Sequence, residues 1–233
     1  SAAKTKGSNR RRARNRAPNA EHVPDSPPLR LGTRGSQLAL WQANAVARRP
    51  LVDEFLARFN GLILEVFSYP GATVAAIAGH AIAGGCLLAM ACDVRIASER
   101  SVFSQAEINI GIIPGGGGSQ RLPRLVGLGT ALKLTLTGER IDAKEALRIG
   151  LVDEVVAHPL LDRRVEEIAD RIASKSSVAA RLAKAAVKAS ARLPMDRGLR
   201  YEQTLFSLAF SSEDKEEGVR AFLERRVPQW KDH

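Results

Sequence analysis

The apolar residues of this chain change their spacing several times along its length, and each change predicts a structural element. Val74, Ala76 and Ala78 form an alternating apolar segment, which predicts a strand. A glycine-bearing turn follows, and Gly84-Gly85 opens a helix of small residues over 86–92. Further strands are predicted at 93–97 and 101–103.

Helical signals dominate after this segment. A helix is predicted after Asp142, which caps it, and this helix ends at Gly150. Residues 161–192 form a long amphipathic stretch that Pro194 ends, and helices are predicted at 201–210 and 214–226. Strands alternating with helices, followed by helices alone, indicate an α/β core over 51–158 and a helical subdomain over 159–233.

The basic charge of the chain is concentrated in its first fifty residues. These residues hold 11 of the 35 Lys and Arg but only 2 of the 25 Asp and Glu, which leaves 24 basic and 23 acidic residues for the remainder. Residues 1–28 contain four prolines and few apolar residues, which predicts a disordered basic tail. Two interpretations stay open: an arm that binds nucleic acid or another polyanion, and a solvated tail or the remnant of a transit peptide.

The cysteine content favours a reducing compartment. Cys86 and Cys92 lie six residues apart in one predicted helix, so they face different directions and cannot form a disulfide without distortion. We therefore expect a cytoplasmic protein, or one of the mitochondrial matrix if the basic start is a transit remnant. Glycines and His80 interrupt the apolar run 72–92, so no membrane span is expected.

The central segment contains the parts needed for proton abstraction beside a carbonyl. The unpaired N–H groups at a helix start, such as that at Gly84, lie at the positive end of the helix dipole and can stabilise an oxyanion. Glu107 is the single carboxylate in the run FSQAEINIGIIPGGGG, which makes it a candidate base. The structural alternative is a tightly packed strand-turn-helix with a glutamate on a loop.

A separate segment precedes the core. Residues 29–48, LRLGTRGSQLALWQANAVAR, resemble the N-terminus of porphobilinogen deaminase, where the residues matching Arg34 and Ser36 help to hold the dipyrromethane cofactor. Nothing else in the chain resembles that enzyme, so no cofactor binding is expected. A gene fusion, an artificial sequence and a chance match stay open as explanations for the segment 29–50.

Most of the chain resembles the crotonase (enoyl-CoA hydratase/isomerase) superfamily. The blocks AIAGHAIAGGCLLAMACDVRIAS, FSQAEINIGIIPGGGGSQRLPRLVG and LTGERIDAKEALRIGLVDEVV occur in that family's order and spacing, over about residues 51–233. The resemblance implies an α/β fold with a crotonase-like ββα spiral core, here N-terminally truncated or substituted, and a helical C-terminal subdomain. It also implies an acyl-CoA substrate, no cofactor or metal beyond that thioester, and a homotrimer or hexamer.

The resemblance assigns roles to residues in two of these blocks. Gly84 and Gly85 match the family's Gly-Gly-Gly, whose first position is Ala83 here, and the Gly84 N–H would be one of the two oxyanion donors. Glu107 matches the family's second catalytic glutamate. Pro114 and Gly115 begin the loop that lets the acyl group pass close to Glu107.

Leu87 departs from the family pattern. Hydratases of this family carry a glutamate at this position, and leucine can neither accept nor donate a proton. A single carboxylate is typical of 3,2-enoyl-CoA isomerases, so isomerisation is the favoured function and hydration is the alternative. An alternative of another class is a non-catalytic scaffold that binds RNA or a polyanion through its basic arm.

Three further expectations follow from the resemblance. Residues 50–70 would form the helix that directly precedes the family's core block. The family segment that supplies the first oxyanion donor has no match in this chain, and the turn 32–36, which includes Gly35, is a candidate replacement. Phe222 and Arg225 match C-terminal positions that contact the adenine and phosphate of CoA, often across a subunit boundary. Their structural alternative is an ordinary amphipathic helix face.

Overall fold

Two small three-stranded sheets organise the computed structural model, which describes residues 49–231 and the side chains from residue 51. One sheet has the order β1 (Val74–Ile77), β3 (Val94–Ser98), β6 (Glu154–Val156), and all of its strands are parallel. The second has the order β2 (His80–Ile82), β4 (Val102–Ser104), β5 (Ile141–Asp142), in which β5 is antiparallel. Successive pairs of strands along the chain therefore add one strand to each sheet, so that the chain follows a spiral path.

Helices connect and cover these strands. They are α1 (Arg49–Ser68), α2 (Gly84–Ala91), α3 (Gly118–Val126), α4 (Leu128–Thr137), α5 (Ala143–Arg148), α6 (Leu161–Ala173), α7 (Ser177–Ala189), α8 (Met195–Phe210) and α9 (Glu213–Glu224). Short 3₁₀ turns lie at Ala106–Ile110 and His158–Leu160. The predicted α/β core followed by helices is the arrangement observed.

Local chemistry explains several of these boundaries. Pro50 is tolerated in the first turn of α1, and Pro70 disfavours helical geometry at the residue before it, so the helix ends at Ser68. Asp142 caps α5 as predicted, because its carboxylate accepts the Glu145 N–H at 2.8 Å.

Three predicted boundaries differ from the structure. The stretch 161–192 is two helices, because the Ser176 hydroxyl accepts the Ala179 N–H at 3.1 Å and starts α7 there. The helix predicted from residue 201 starts at Met195, directly after Pro194. His80, predicted in a turn, begins strand β2 and is exposed.

The hydrophobic core lies between α1, α2 and the sheets. The largest side chains that are almost fully buried include Phe103, Ile63, Leu87, Ile96 and Leu122. Arg95, also buried, donates to the Leu151 carbonyl at 3.0 Å and pairs with Asp153 at 2.9 Å. These contacts hold β3 against the segment before β6, and so fix the frame on which the candidate site is built.

Parts of the sequence analysis concern residues outside this description. The basic tail 1–28, the deaminase-like segment with Arg34 and Ser36, and the turn 32–36 all lie before residue 49, so these stay predictions. Within residues 49–231, no helix combines the length and the apolar character that a bilayer crossing requires.

Candidate active site

The start of α2 presents backbone N–H groups at a strained corner. Ala83 precedes the helix with φ 48° and ψ −117°, and its N–H donates to the Ser104 carbonyl at 2.9 Å. Positive φ is uncommon for a residue with a side chain, so tertiary contacts must hold this corner in place. Among the described residues no acceptor takes the N–H of Gly84, the first residue of the helix. That N–H is free for an oxyanion.

Glu107 lies in the 3₁₀ turn that directly follows β4. Its carboxylate is buried with 7% relative exposure, and its Oε2 has no hydrogen-bond partner among the described residues. The turn ends at Gly111, whose φ of 76° favours glycine. Burial raises the pKa of Glu107 above its ordinary value, although a backbone hydrogen bond opposes this shift. A buried carboxylate with a raised pKa is suited to both taking and returning a proton.

The four-glycine loop packs so closely that side chains would not fit in it. A Cβ on Gly116 would meet the Phe59 ring and would lie 2.7 Å from Leu87 Cδ1. A Cβ on Gly118 would meet Leu87 Cδ2 and would lie 2.8 Å from Gln105 Oε1. The loop therefore needs glycine for close approach, and its last glycine, Gly118, is the first residue of α3.

Leu87 fills the space where this loop meets α2. The side chain is 2% exposed and touches the positions of both loop glycines. Beside it, both polar atoms of the Gln105 side chain are buried without a hydrogen-bond partner among the described residues. Burying an amide without a hydrogen-bond partner is unfavourable, so the Gln105 side chain is available to hydrogen-bond a water molecule or a polar group of a ligand.

Two side chains of α1 that the sequence analysis did not single out complete the site. The Phe59 ring lies 3.5 Å from where a Cβ on Gly84 would be, and Leu56 Cδ2 lies 2.8 Å from where one on Gly115 would be. Helical apolar spacing in α1 was the only signal for them, and that signal also fits an ordinary core helix. Gln105 could have been noticed because it stands two residues before Glu107.

Cys86 does not have the properties of a nucleophile. Burial raises the pKa of its thiol to about 11, and the charge of Glu107 contributes to this rise. Both cysteines are free, as expected from their spacing. In the part of the chain that the structure describes, no group of three His, Cys, Asp or Glu is placed to hold a metal ion.

The predicted site residues thus fall into two groups. Those at the start of α2 and in the glycine loop lie together: Ala83, Gly84, Gly85, Leu87, Pro114 and Gly115. Glu107 is close enough to Cys86 of α2 for its charge to affect that thiol. Phe222 is 82% exposed on α9 and Arg225 is the exposed residue that ends it, and no contact within 49–231 joins either to this group. Their role in CoA binding stays a prediction.

The chain is similar in sequence to a known family and to several of its members. Residues 44–233 match the family model described as enoyl-CoA hydratase/isomerase. A "Probable enoyl-CoA hydratase" of Rhizobium meliloti is 48% identical over 77% of this chain and 70% of its own length. The "Crotonyl-CoA hydratase" of Syntrophomonas wolfei is 47% identical over 70% of this chain and 62% of its own length.

Solved structures agree with the fold. The crystal structure of an enoyl-CoA hydratase from Bacillus anthracis is 40% identical, with a TM-score of 0.77 over 79% of this chain and 71% of that one. The predicted α/β spiral fold is thereby confirmed.

Proposed function

Since the chain belongs to the enoyl-CoA hydratase/isomerase family, we propose that it moves a double bond in an enoyl-CoA thioester, as a 3,2-enoyl-CoA isomerase does. Glu107 carries the proton in this reaction. The Gly84 N–H, unpaired at the start of α2, stabilises the thioester oxygen.

The chemistry needs one base and one oxyanion site. The Glu107 carboxylate removes a proton from C2 of the 3-enoyl thioester, and the electron pair moves onto the thioester oxygen to give a dienolate. The Glu107 carboxyl group then returns the proton at C4, and the double bond is left between C2 and C3. No water enters or leaves, so a second carboxylate is not required.

One observation carries this proposal: Glu107 is a buried residue whose Oε2 has no hydrogen-bond partner among the described residues, while position 87 on α2 holds a buried apolar side chain. Its raised pKa supports the same conclusion, because a base whose conjugate acid is not too strong can hold the proton between the two transfers. Leu87, which packs against Gly116 and Gly118, supplies no carboxylate at the start of α2.

A second candidate is hydration of a 2-enoyl-CoA, and the printed names of the relatives favour it, since these are called hydratases. Hydration would require Glu107 to activate water without a second carboxylate. The unpaired Gln105 amide is the polar group near position 87 that could hold such a water.

Both candidates are tested by one assay. Trans-3-enoyl-CoA and trans-2-enoyl-CoA of short chain length are given to the protein, and the absorbance of the conjugated thioester is followed. Appearance of the conjugated product from the first substrate, with no loss from the second, supports isomerisation. Loss of the conjugated signal from the second substrate means hydration.

Glu107→Gln is the diagnostic variant, and Glu65→Gln, an exposed carboxylate on α1, is its matched control. We expect the first variant to lose about 10²-fold or more of the rate and the second to keep it. Equal activity of Glu107→Gln and the wild type, or turnover of neither substrate by the wild type, contradicts the proposal.

A further inference from the structure

Phe59 of α1 stands where the start of α2 meets the glycine loop. The tip of its ring, Cζ and Cε2, lies 3.5 and 4.0 Å from the position that a Cβ on Gly84 would take. A neighbouring edge of the same ring contacts the corresponding position of Gly116, with Phe59 Cδ1 at 3.1 Å. One aromatic side chain therefore touches both the residue whose N–H is free for an oxyanion and the loop.

A second aromatic ring supports Phe59 in this orientation. Phe55, one turn earlier on α1, stacks on it with ring centroids 5.9 Å apart and ring planes inclined by 5°. Phe55 is 46% exposed, whereas Phe59 is half-buried and packs against the hydrophobic core. Because stacked rings at this spacing on a helix restrict each other's side-chain conformations, Phe59 forms a defined wall at the site.

Packing around Leu87 closes the inner part of this site. Leu87 is 2% exposed, and its Cδ1 lies 2.7 Å from the position of a Cβ on Gly116. Gly116 and Gly118, against which Leu87 packs, are buried as well. A carbon chain held at Gly84 therefore finds no room toward Leu87, whereas Gly84 and Phe59 are both partly open to solvent.

The Phe59 ring lies within reach of the first carbons of an acyl group bound at Gly84. A thioester oxygen that accepts the Gly84 N–H is about 3 Å from that nitrogen. The first four acyl carbons are within four bonds of this oxygen, so they extend no more than about 8 Å from the nitrogen. Phe59 Cζ is within about 5 Å of the Gly84 Cα, since a Cα–Cβ bond adds about 1.5 Å to the 3.5 Å given above.

We propose that Phe59 determines the acyl-length specificity of this site: acyl groups of about four to six carbons fit beside the ring, and the ring blocks longer ones. This inference rests on the proposed function, because it takes Gly84 as the residue that holds the thioester oxygen. Phe59 is then a specificity-determining residue that contacts the substrate and takes no part in the proton transfer.

The physical basis is the close packing of the ring against two backbone segments. Because Phe59 contacts the positions of both Gly84 and Gly116, it cannot move toward either glycine to make room for extra methylene groups. Longer acyl groups therefore have to displace the ring and break its stacking on Phe55. Replacing Phe59 with alanine frees room for roughly six carbon atoms, which is enough for a longer chain to pass.

Calorimetric titration of the full chain with saturated acyl-CoA thioesters tests this inference without any turnover. Butanoyl-, hexanoyl-, octanoyl- and decanoyl-CoA share one CoA portion, so differences in affinity between them report on the acyl group alone. The variants are Phe59→Ala and Phe59→Leu, the second of which keeps an apolar side chain against the core. Phe206→Ala is the matched control, because it removes the same side chain from a stacked pair on α8, where Phe206 and Phe210 have centroids 5.8 Å apart.

We expect the affinity of the wild type to fall about tenfold or more from hexanoyl-CoA to decanoyl-CoA. Phe59→Ala should remove this fall, so that it binds decanoyl-CoA at least as tightly as hexanoyl-CoA. Phe59→Leu should give an intermediate ratio, and Phe206→Ala should keep the ratio of the wild type. Thermal unfolding of each variant verifies that it is folded.

Two outcomes overturn the inference. One is that the wild type binds decanoyl-CoA as tightly as hexanoyl-CoA, and the other is that a folded Phe59→Ala or Phe59→Leu variant keeps the wild-type ratio. Glu107→Gln should leave the ratio unchanged, because Glu107 acts on the proton and not on the chain length. Length discrimination without isomerisation therefore contradicts the proton-transfer proposal alone, whereas isomerisation without length discrimination contradicts the role of Phe59 alone.

Discussion

Ala83 offers a sharp test of how the start of α2 is held. Its φ of 48° and ψ of −117° lie in a region that glycine adopts freely and alanine does not. Replacing alanine with glycine there removes the clash between Cβ and the backbone without touching the helix that follows. We therefore expect Ala83→Gly to stabilise the protein, the reverse of the usual effect of introducing glycine.

The magnitude follows from two opposing quantities. A sparsely populated conformation with positive φ costs a residue with a Cβ about 1–3 kcal/mol. Glycine loses more backbone entropy on folding, which costs about 0.5–1 kcal/mol relative to alanine. The central values differ by about 1 kcal/mol in favour of glycine, and for a domain of this size that raises the Tm by about 2–4 °C.

Urea denaturation followed by circular dichroism measures this change, with calorimetry for the Tm. The control is Ala89→Gly, a buried position in the regular part of the same helix, which should lose about 1 kcal/mol or more. If Ala83→Gly loses stability as the control does, the corner is not strained and the reasoning is wrong.

Three further changes test the charges of the core and the site. Burial raises the pKa of Glu107, so the free energy of unfolding falls as pH rises from the pKa of Glu107 in the unfolded state to its pKa in the folded state. Glu107→Gln should remove this fall, which urea denaturation at a series of pH values measures. Leu87→Glu would place a carboxylate beside the unpaired Gln105 amide. We expect this variant to hydrate 2-enoyl-CoA about tenfold or more faster than Leu87→Gln does, and equal hydration rates of the two variants would contradict this reasoning. Burial raises the pKa of Asp93, but its hydrogen bonds to Lys184 and Lys188 outweigh burial, and the net pKa is lowered. The stability that ionised Asp93 contributes is therefore lost as pH falls through its pKa in the folded state. Asp93→Asn should cost about 3 kcal/mol near neutral pH and make the free energy of unfolding less dependent on acid; an unchanged urea midpoint would show that the pair adds nothing.

Much of the fold followed from local pattern. Apolar spacing predicted the strands on either side of α2 and most helices, and Asp142 was correctly predicted as a cap. Where the prediction differed, a local contact decided the boundary, as at Ser176, whose hydroxyl starts α7 inside an uninterrupted amphipathic pattern. Apolar periodicity continues through such a cap, so it gives no signal there.

The amino-acid pattern was enough to identify the chemical groups of the candidate site: glycines at a helix start, one carboxylate, and a leucine at the position of the family's other carboxylate. The packing in three dimensions was needed to show that Phe59 covers Gly84 and that the Gln105 amide is buried without a partner among the described residues. It also brought Lys188 of α7 to Phe67, more than a hundred residues earlier in the chain. The reason is that spacing along a helix or strand depends on neighbours in sequence, whereas burial, pairing and electrostatic potential depend on neighbours in space.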